Sequence, residues 1–133
     1  MRKIKHIVVH CTATPQTTSV DSIRRYWREV LGWRNPGYHI LIRPDGTFIR
    51  LAQDSQVCNG VGGHNANSLH VSYIGGQHTD DRTEAQNLSL LVILRDWATL
   101  YPDAEILGHR GFAGVKKECP RFDTKAWLKL VGF

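Results

Sequence analysis

Ile4-Lys-His-Ile-Val-Val-His-Cys-Thr12 is the stretch on which the fold turns. Its β-branched residues are closely spaced, and Ile7, Val8 and Val9 stay apolar at successive positions, the pattern of a central strand buried on both faces. A strand covered on both sides needs a layer above it and another below. The segment therefore predicts an α/β domain in which helices lie on the faces of a sheet. Alternation sends His10 and Cys11 to opposite faces at the end of that strand, where a fixed side chain can be pointed into a cleft.

Working outward, Thr12 to Thr18 is a polar loop with Pro15, and a helix starting near Ser19 or Asp21 follows. Its apolar positions Ile23, Tyr26, Trp27, Val30 and Leu31 fall at helical spacing, and Gly32 ends it. Gly37 to Leu51 reads as a hairpin turned by Pro44-Asp45-Gly46, with Tyr38, Ile40 and Ile42 expected on one face and His39 and Leu41 on the other. A loop rich in glycine and asparagine, Gln53 to Asn67, should rim the cleft. Ser68 to Ile74 is a further strand, closed by Gly75-Gly76. Thr83 caps a helix running to about Tyr101, apolar on most sides between Leu88 and Leu94 and so expected to be heavily buried. Glu105 to Gly108 is a short strand, and Thr124 to Leu130 a short helix with Ala126, Trp127 and Leu130 as its apolar side. The whole is a single α/β domain over residues 1–133, a central mixed β-sheet flanked by about three helices.

Charge and cysteine content narrow the function. Seventeen Lys and Arg against 12 Asp and Glu give a net charge of +5. The positive charges are scattered, with no basic run and no interleaved aromatic ladder, so no nucleic-acid partner is expected. Cys11, Cys58 and Cys119 are an odd number without a regular framework, which argues against a disulfide-stapled scaffold. Too few apolar residues follow the basic start Met1-Arg-Lys-Ile-Lys-His6 for a signal-peptide core or a membrane span. The expectation is a monomer that is cytoplasmic as synthesised.

Gly108-His-Arg-Gly-Phe-Ala-Gly-Val-Lys-Lys-Glu-Cys-Pro-Arg-Phe-Asp123 carries the chemistry: His109, Lys117 and Cys119 on a glycine-broken loop. Imidazole and thiolate are both good ligands for zinc, and a catalytic zinc takes three protein ligands and keeps a fourth position for water. His10 is the candidate for the third. The spacing matches neither CxxC nor HExxH, so any such site must be assembled by the fold from distant segments. The remaining histidines and thiols read as structural: His39 behind the sheet, His6, His70 and His78 as structural or surface groups, Cys11 as a buried small hydrophobe and Cys58 as a loop thiol.

Val8-Val-His-Cys-Thr-Ala13, Gly37-Tyr-His39, Pro44-Asp-Gly-Thr47, Gly63-His-Asn-Ala-Asn-Ser68, Thr83-Glu-Ala-Gln86, Gly108-His-Arg110 and Lys117-Glu-Cys-Pro-Arg-Phe-Asp123, in this order and at these separations, resemble the zinc-dependent N-acetylmuramoyl-L-alanine amidases. That family includes amidase-type phage lysozymes and the peptidoglycan recognition proteins, and the resemblance covers nearly the whole chain. It implies that His10, His109 and Cys119 hold a Zn2+ cofactor, that Tyr38 and Lys117 face the metal and assist the chemistry, and that His64 and Asn67 line a substrate groove. Chemistry alone does not choose between Lys116 and Lys117; the match to the family favours Lys117.

The implied substrate is peptidoglycan, cut at the amide between the lactyl group of N-acetylmuramic acid and L-alanine. An endolysin of phage or prophage origin is expected, acting on the cell wall once released, with cytosolic recycling of wall fragments as the alternative. A non-catalytic wall-binding module is the rival from another class. Recognition-only members typically lack the metal cysteine, which this chain retains.

Overall fold

The computed structural model describes residues 2–133. Strand β1, His6–Cys11, lies inside a five-stranded sheet of order β3-β2-β4-β1-β5. The other strands are β2, Ile40–Ile42, β3, Phe48–Arg50, β4, Ser68–Tyr73, and β5, Glu105–Gly108. β1 runs parallel to both β4 and β5, with His10 beside Ser72 and Val9 beside Gly108, and β2 is parallel to β4. β2 and β3 pair antiparallel, across the Pro44-Asp45-Gly46 turn, where Gly46 takes a left-handed φ of 87°. The sheet is mixed, and three α-helices pack on it, as the sequence predicts.

Burial follows the two faces of β1. Ile7 and Val9 point to a core shared with Leu69, Val71, Leu90, Leu94 and Trp97. Val8 points the other way, to Val61, Leu107 and Phe112. On that second face Leu41 and Ile74 meet Val20, Ile23 and Trp27 of the first helix. Each large apolar side chain removed from water contributes roughly 1.5–3 kcal/mol before the entropy of ordering it is subtracted.

Helix α1, Val20–Arg25, begins at Ser19, whose hydroxyl accepts from the Ser22 amide. It continues as a π-helical turn, Tyr26–Val30. Here the structure corrects the sequence pattern: Tyr26, Val30 and Leu31 are exposed, and only Val20, Ile23 and Trp27 face the sheet. The i→i+5 winding changes the angle per residue, so a face drawn at 3.6 residues per turn drifts off the core.

Helix α2, Glu84–Leu100, starts in a complete capping box: the Thr83 hydroxyl accepts from the Gln86 amide, and the Gln86 side chain accepts from the Thr83 amide. Leu90, Ile93, Leu94 and Trp97 are buried, but Leu88 and Val92 are each 62% exposed, so the helix is half-buried rather than surrounded. It covers one face of the sheet, and among the described residues no second layer lies beyond it.

In α3, Thr124–Leu130, the inward residues are Thr124 and Leu128, with Trp127 partly buried. Leu130 is 84% exposed and Ala126 is exposed, which corrects the expected apolar side. Among the described residues no helix is long and apolar enough to cross a membrane.

The hairpin also departs from simple alternation. Tyr38 packs with Leu41 and Trp27, opposite Ile40 and Ile42. The amides of Leu51 and Ala52 both donate to the His39 carbonyl, at 2.7 and 3.4 Å, so two residues oppose one and the alternation slips before Ile40. That slip turns Tyr38 toward the end of β1.

Candidate active site

His10 is the penultimate residue of β1 and is 1% exposed. Its backbone is held beside Ser72 of β4, one residue past the last β1–β5 pair, Val9 and Gly108. His109 opens a short 3-10 turn, His109–Gly111, directly after β5, and its ring centroid lies 4.9 Å from that of His10. Cys119 comes back on the following loop. Its carbonyl accepts from the Arg110 amide at 2.9 Å, and its sulfur accepts from the Cys11 amide at 3.1 Å. The loop is tied down further by the Tyr73 hydroxyl, which donates to the Pro120 carbonyl at 2.7 Å, and by the Arg121 guanidinium, which donates to the Gly76 carbonyl at 3.1 Å.

These attachments bring ligand atoms of His10, His109 and Cys119 within 4.8 Å of one another. The Cys119 sulfur lies 3.8 Å from His10 Nδ1. One thiolate and one imidazole on a tetrahedral zinc would be about 3.5 Å apart, given zinc–ligand distances near 2.3 and 2.0 Å. A set of two nitrogens and one sulfur is a donor set that zinc accepts, and three protein ligands leave a position open to the cleft. The residues therefore fit the metal.

The electrostatics suit a cation. Burial, then His70, His109 and Lys117, hold the His10 imidazole well below its ordinary pKa, and burial and Lys117 bring His109 down to about 4. Both rings are thus neutral, with a lone pair to offer, at neutral pH. The Cys11 side chain and burial push the Cys119 thiol up. A divalent cation is the charge that would ionise it.

The three residues lie in a cleft of about 320 Å³ that is also lined by Tyr38, Lys117, Trp33, Asn59 and Gly62. Tyr38 packs its ring 4.9 Å from His10 and edge-on to Trp27 at 5.4 Å, and its hydroxyl donates to the Cys11 carbonyl at 3.3 Å. Burial, then the charges of Cys119 and Cys11, raise its pKa, so Tyr38 stays a proton donor rather than a phenolate. Lys117 is exposed at the mouth. Five sequence candidates therefore share one cleft.

His64 and Asn67 do not line that cleft. The Asn67 side chain donates to the Lys3 carbonyl at 2.8 Å, and the exposed His64 packs on Phe112 and His6. His39 is fully buried, with Nδ1 accepting from the His70 amide and Nε2 facing the Gln56 carbonyl. Cys11, Cys58 and Cys119 are all free thiols.

Residues 1–122 match the family described as N-acetylmuramoyl-L-alanine amidase. The chain belongs to that family. The amidase is 36% identical over 127 residues to the endolysin of Enterobacteria phage K11, covering 91% of this chain and 83% of the relative. Its fold is shared with the Ph2119 endolysin from Thermus scotoductus MAT2119 bacteriophage Ph2119, at a TM-score of 0.84 and 23% identity over 99% of this chain and 86% of that one. It is shared also with bumblebee PGRP-SA, at 0.80 and 17% over 97% and 82%.

Sequence reasoning assigned no active-site part to His70, Asn65 or Gly60. In the amidase, His10 Nε2 lies 2.9 Å from His70 Nδ1, and His70 Nε2 lies 3.0 Å from Asn65 Oδ1. A Cβ at Gly60 would sit 2.2 Å from His70 Nδ1, so only glycine can pass there. The signal for His70 was present. Ser68, His70 and Ser72 alternate with Leu69, Val71 and Tyr73, giving a central strand, buried throughout, one polar face. Polar groups on a buried face must find partners: Ser68 and Ser72 find backbone carbonyls, and His70 finds His10 and Asn65.

Proposed function

We propose that this amidase hydrolyses the amide between the lactyl group of N-acetylmuramic acid and L-alanine in peptidoglycan, using a zinc ion held by His10, His109 and Cys119. The observation that carries the reading is the meeting of those ligand atoms within 4.8 Å, on the floor of a cleft that also holds Lys117 and Tyr38. Zinc bound there would supply Lewis acidity, lowering the pKa of the attacking water to about 7 and polarising the amide carbonyl.

The chain's own residues supply the rest. Lys117 presents an ammonium at the cleft mouth, and its attraction grows as negative charge develops on the carbonyl oxygen, so it acts on the transition state more than on the bound substrate. Tyr38, kept protonated by burial, orients the water or passes a proton to the departing amine. Trp33 and Asn59, which line the cleft, contact the part of the substrate nearest the cut, and His64 and Asn67, outside it, meet only parts of the polymer that extend beyond the cleft. The domain acts as one unit over residues 1–133.

We read the biological role as that of a phage or prophage endolysin, supported by the similarity to the K11 enzyme. The deciding experiment is mass spectrometry of purified sacculi and of soluble muropeptides after incubation, with and without a chelator. Release of stem peptides beginning at L-alanine, lost on chelation and restored by zinc, is expected. Release that survives chelation would remove the metal from the reading. Cleavage of soluble muropeptides with intact sacculi untouched would favour wall-fragment recycling, and binding to sacculi without any cleavage would make the protein a recognition module.

A further inference from the structure

A chain of hydrogen bonds runs from the cleft along one face of the sheet, from β1 across β4 to the loop before it, and its direction can be read from one end. The Val61 amide lies 2.8 Å from Asn65 Oδ1. An amide N–H can only donate, so the atom facing it is the oxygen of Asn65 and not its nitrogen. The same oxygen lies 3.0 Å from His70 Nε2, which must therefore carry a hydrogen. A neutral imidazole protonated at Nε2 is an acceptor at Nδ1. His70 Nδ1 is 2.9 Å from His10 Nε2, so His10 must in turn be protonated at Nε2. Its unprotonated nitrogen is then Nδ1, the atom 3.8 Å from the Cys119 sulfur.

We propose that His70 and Asn65 are positioning residues that fix the tautomer and the ring orientation of His10, so that Nδ1 offers its lone pair to the metal before any metal arrives. The inference rests on the zinc reading given above and adds to it the side chains that set the ligand.

Four further features support it. His10 and His70 are 1% and 0% exposed, so water cannot easily substitute for either partner. His70 is itself anchored, stacked on His39 with 5.9 Å between ring centroids, and its amide donates to His39 Nδ1. Gly60 closes over the His70 ring where any side chain would collide with Nδ1. At the far end, Arg2 Nη1 donates to the Asn65 carbonyl at 3.1 Å and to that of Ser68 at 3.1 Å, which holds the Asn65–Asn67 turn against the sheet.

The relay ends on a neutral amide rather than on a carboxylate. No negative charge is delivered through His10, so a metal bound with one thiolate and two neutral imidazoles keeps a net positive charge. Partners of ligand histidines generally change metal affinity by about 10–100-fold when removed.

Zinc affinity, measured by competition with a chromophoric chelator, tests this without reference to turnover. His70→Leu removes the acceptor for His10 Nε2 and should weaken zinc binding by about 10–100-fold. His70→Asn, whose side-chain oxygen can take the place of Nδ1, should recover most of the loss. Asn65→Ala should weaken zinc by a smaller factor, whereas Asn65→Asp, which still accepts from His70, should not. Because His70 is fully buried, a second measurement on the unaltered, zinc-free protein stands beside the variants: 15N-detected histidine spectra should show His10 and His70 protonated at Nε2.

A metal-free His10 protonated at Nδ1, or wild-type zinc affinity in both His70→Leu and Asn65→Ala, would overturn the relay alone. Failure of the unaltered chain to bind zinc would overturn the metal reading and the relay with it.

Discussion

Lys117 is an exposed side chain with no carboxylate partner among the ion pairs of the described residues, and it stands over a cleft floor built from two neutral imidazoles and a thiol. A charge so placed has little to do for the resting fold. Lys117→Ala should leave zinc content and melting temperature unchanged and lower kcat by about 10²–10³, as the loss of other oxyanion donors does. A change confined to KM would make it a substrate anchor instead.

The buried rings behave oppositely, acting on stability. Burial brings His39 down to about 4 and His70 to about 3, against an ordinary value of 6.5. Between pH 6.5 and those values the unfolded chain binds more protons than the native one, so native stability falls as pH falls through that window and is fully retained above it. Urea midpoints should therefore be flat from pH 8 to 7 and drop steadily from 6 to 4.5, and a flat profile throughout would show that these rings titrate normally.

At this scale the candidate metal set was legible through the resemblance of whole motifs to the amidase family, since a histidine at a strand end and a lone loop cysteine are by themselves more often structural. His70 was not, since its identity as a partner depends on a ring from another strand. That pairing exists only once β1 and β4 lie side by side.

Among the elements, α2 shows how a cap also serves as a tie to the sheet. Gln86 completes the capping box, and its Nε2 donates to the carbonyls of Ile42 and Ile74 at 3.3 and 3.1 Å, while the Thr83 hydroxyl donates to the Pro44 carbonyl at 2.6 Å. The helix start is thereby tied to the ends of β2 and β4. Thr83→Ala should cost about 1–2 kcal/mol in chemical denaturation, the usual range for a lost cap. Gln86→Leu should cost about 2–4 kcal/mol, because it also leaves two carbonyls without their partner. Equal effects of the two would mean that the links to the sheet carry no weight.

The strands were readable as runs of β-branched residues, and the Thr83 cap was readable from its Gln three positions on. What could not be read were the helix faces. Tyr26, Val30, Leu88, Val92 and Leu130 are apolar and exposed, and nothing in a single sequence says how many layers cover a helix. The π-helical turn after Arg25 and the bulge opposite His39 each shift a side-chain register by local winding or pairing that residue type does not announce.

For the whole molecule, the three residues that could hold a metal come from β1, from the end of β5 and from the loop beyond it. Bound metal would join that loop to the centre of the sheet, and a ligand present at 1,000 times its dissociation constant stabilises the native state by about 4 kcal/mol. Zinc should therefore raise the melting temperature, and its removal should expose the segment between His109 and Arg121 to proteases before the core of β1, β4 and α2 is cut. Uniform cleavage along the zinc-free chain would contradict that picture.

The sequence separation of the ligands also sets when the enzyme comes into being. His10 leaves the ribosome more than a hundred residues before Cys119, so a nascent or stalled chain ending before the last loop can pair its whole sheet and still lack the thiolate of the set. A zinc centre of these three residues is thus withheld from every product that stops before Cys119.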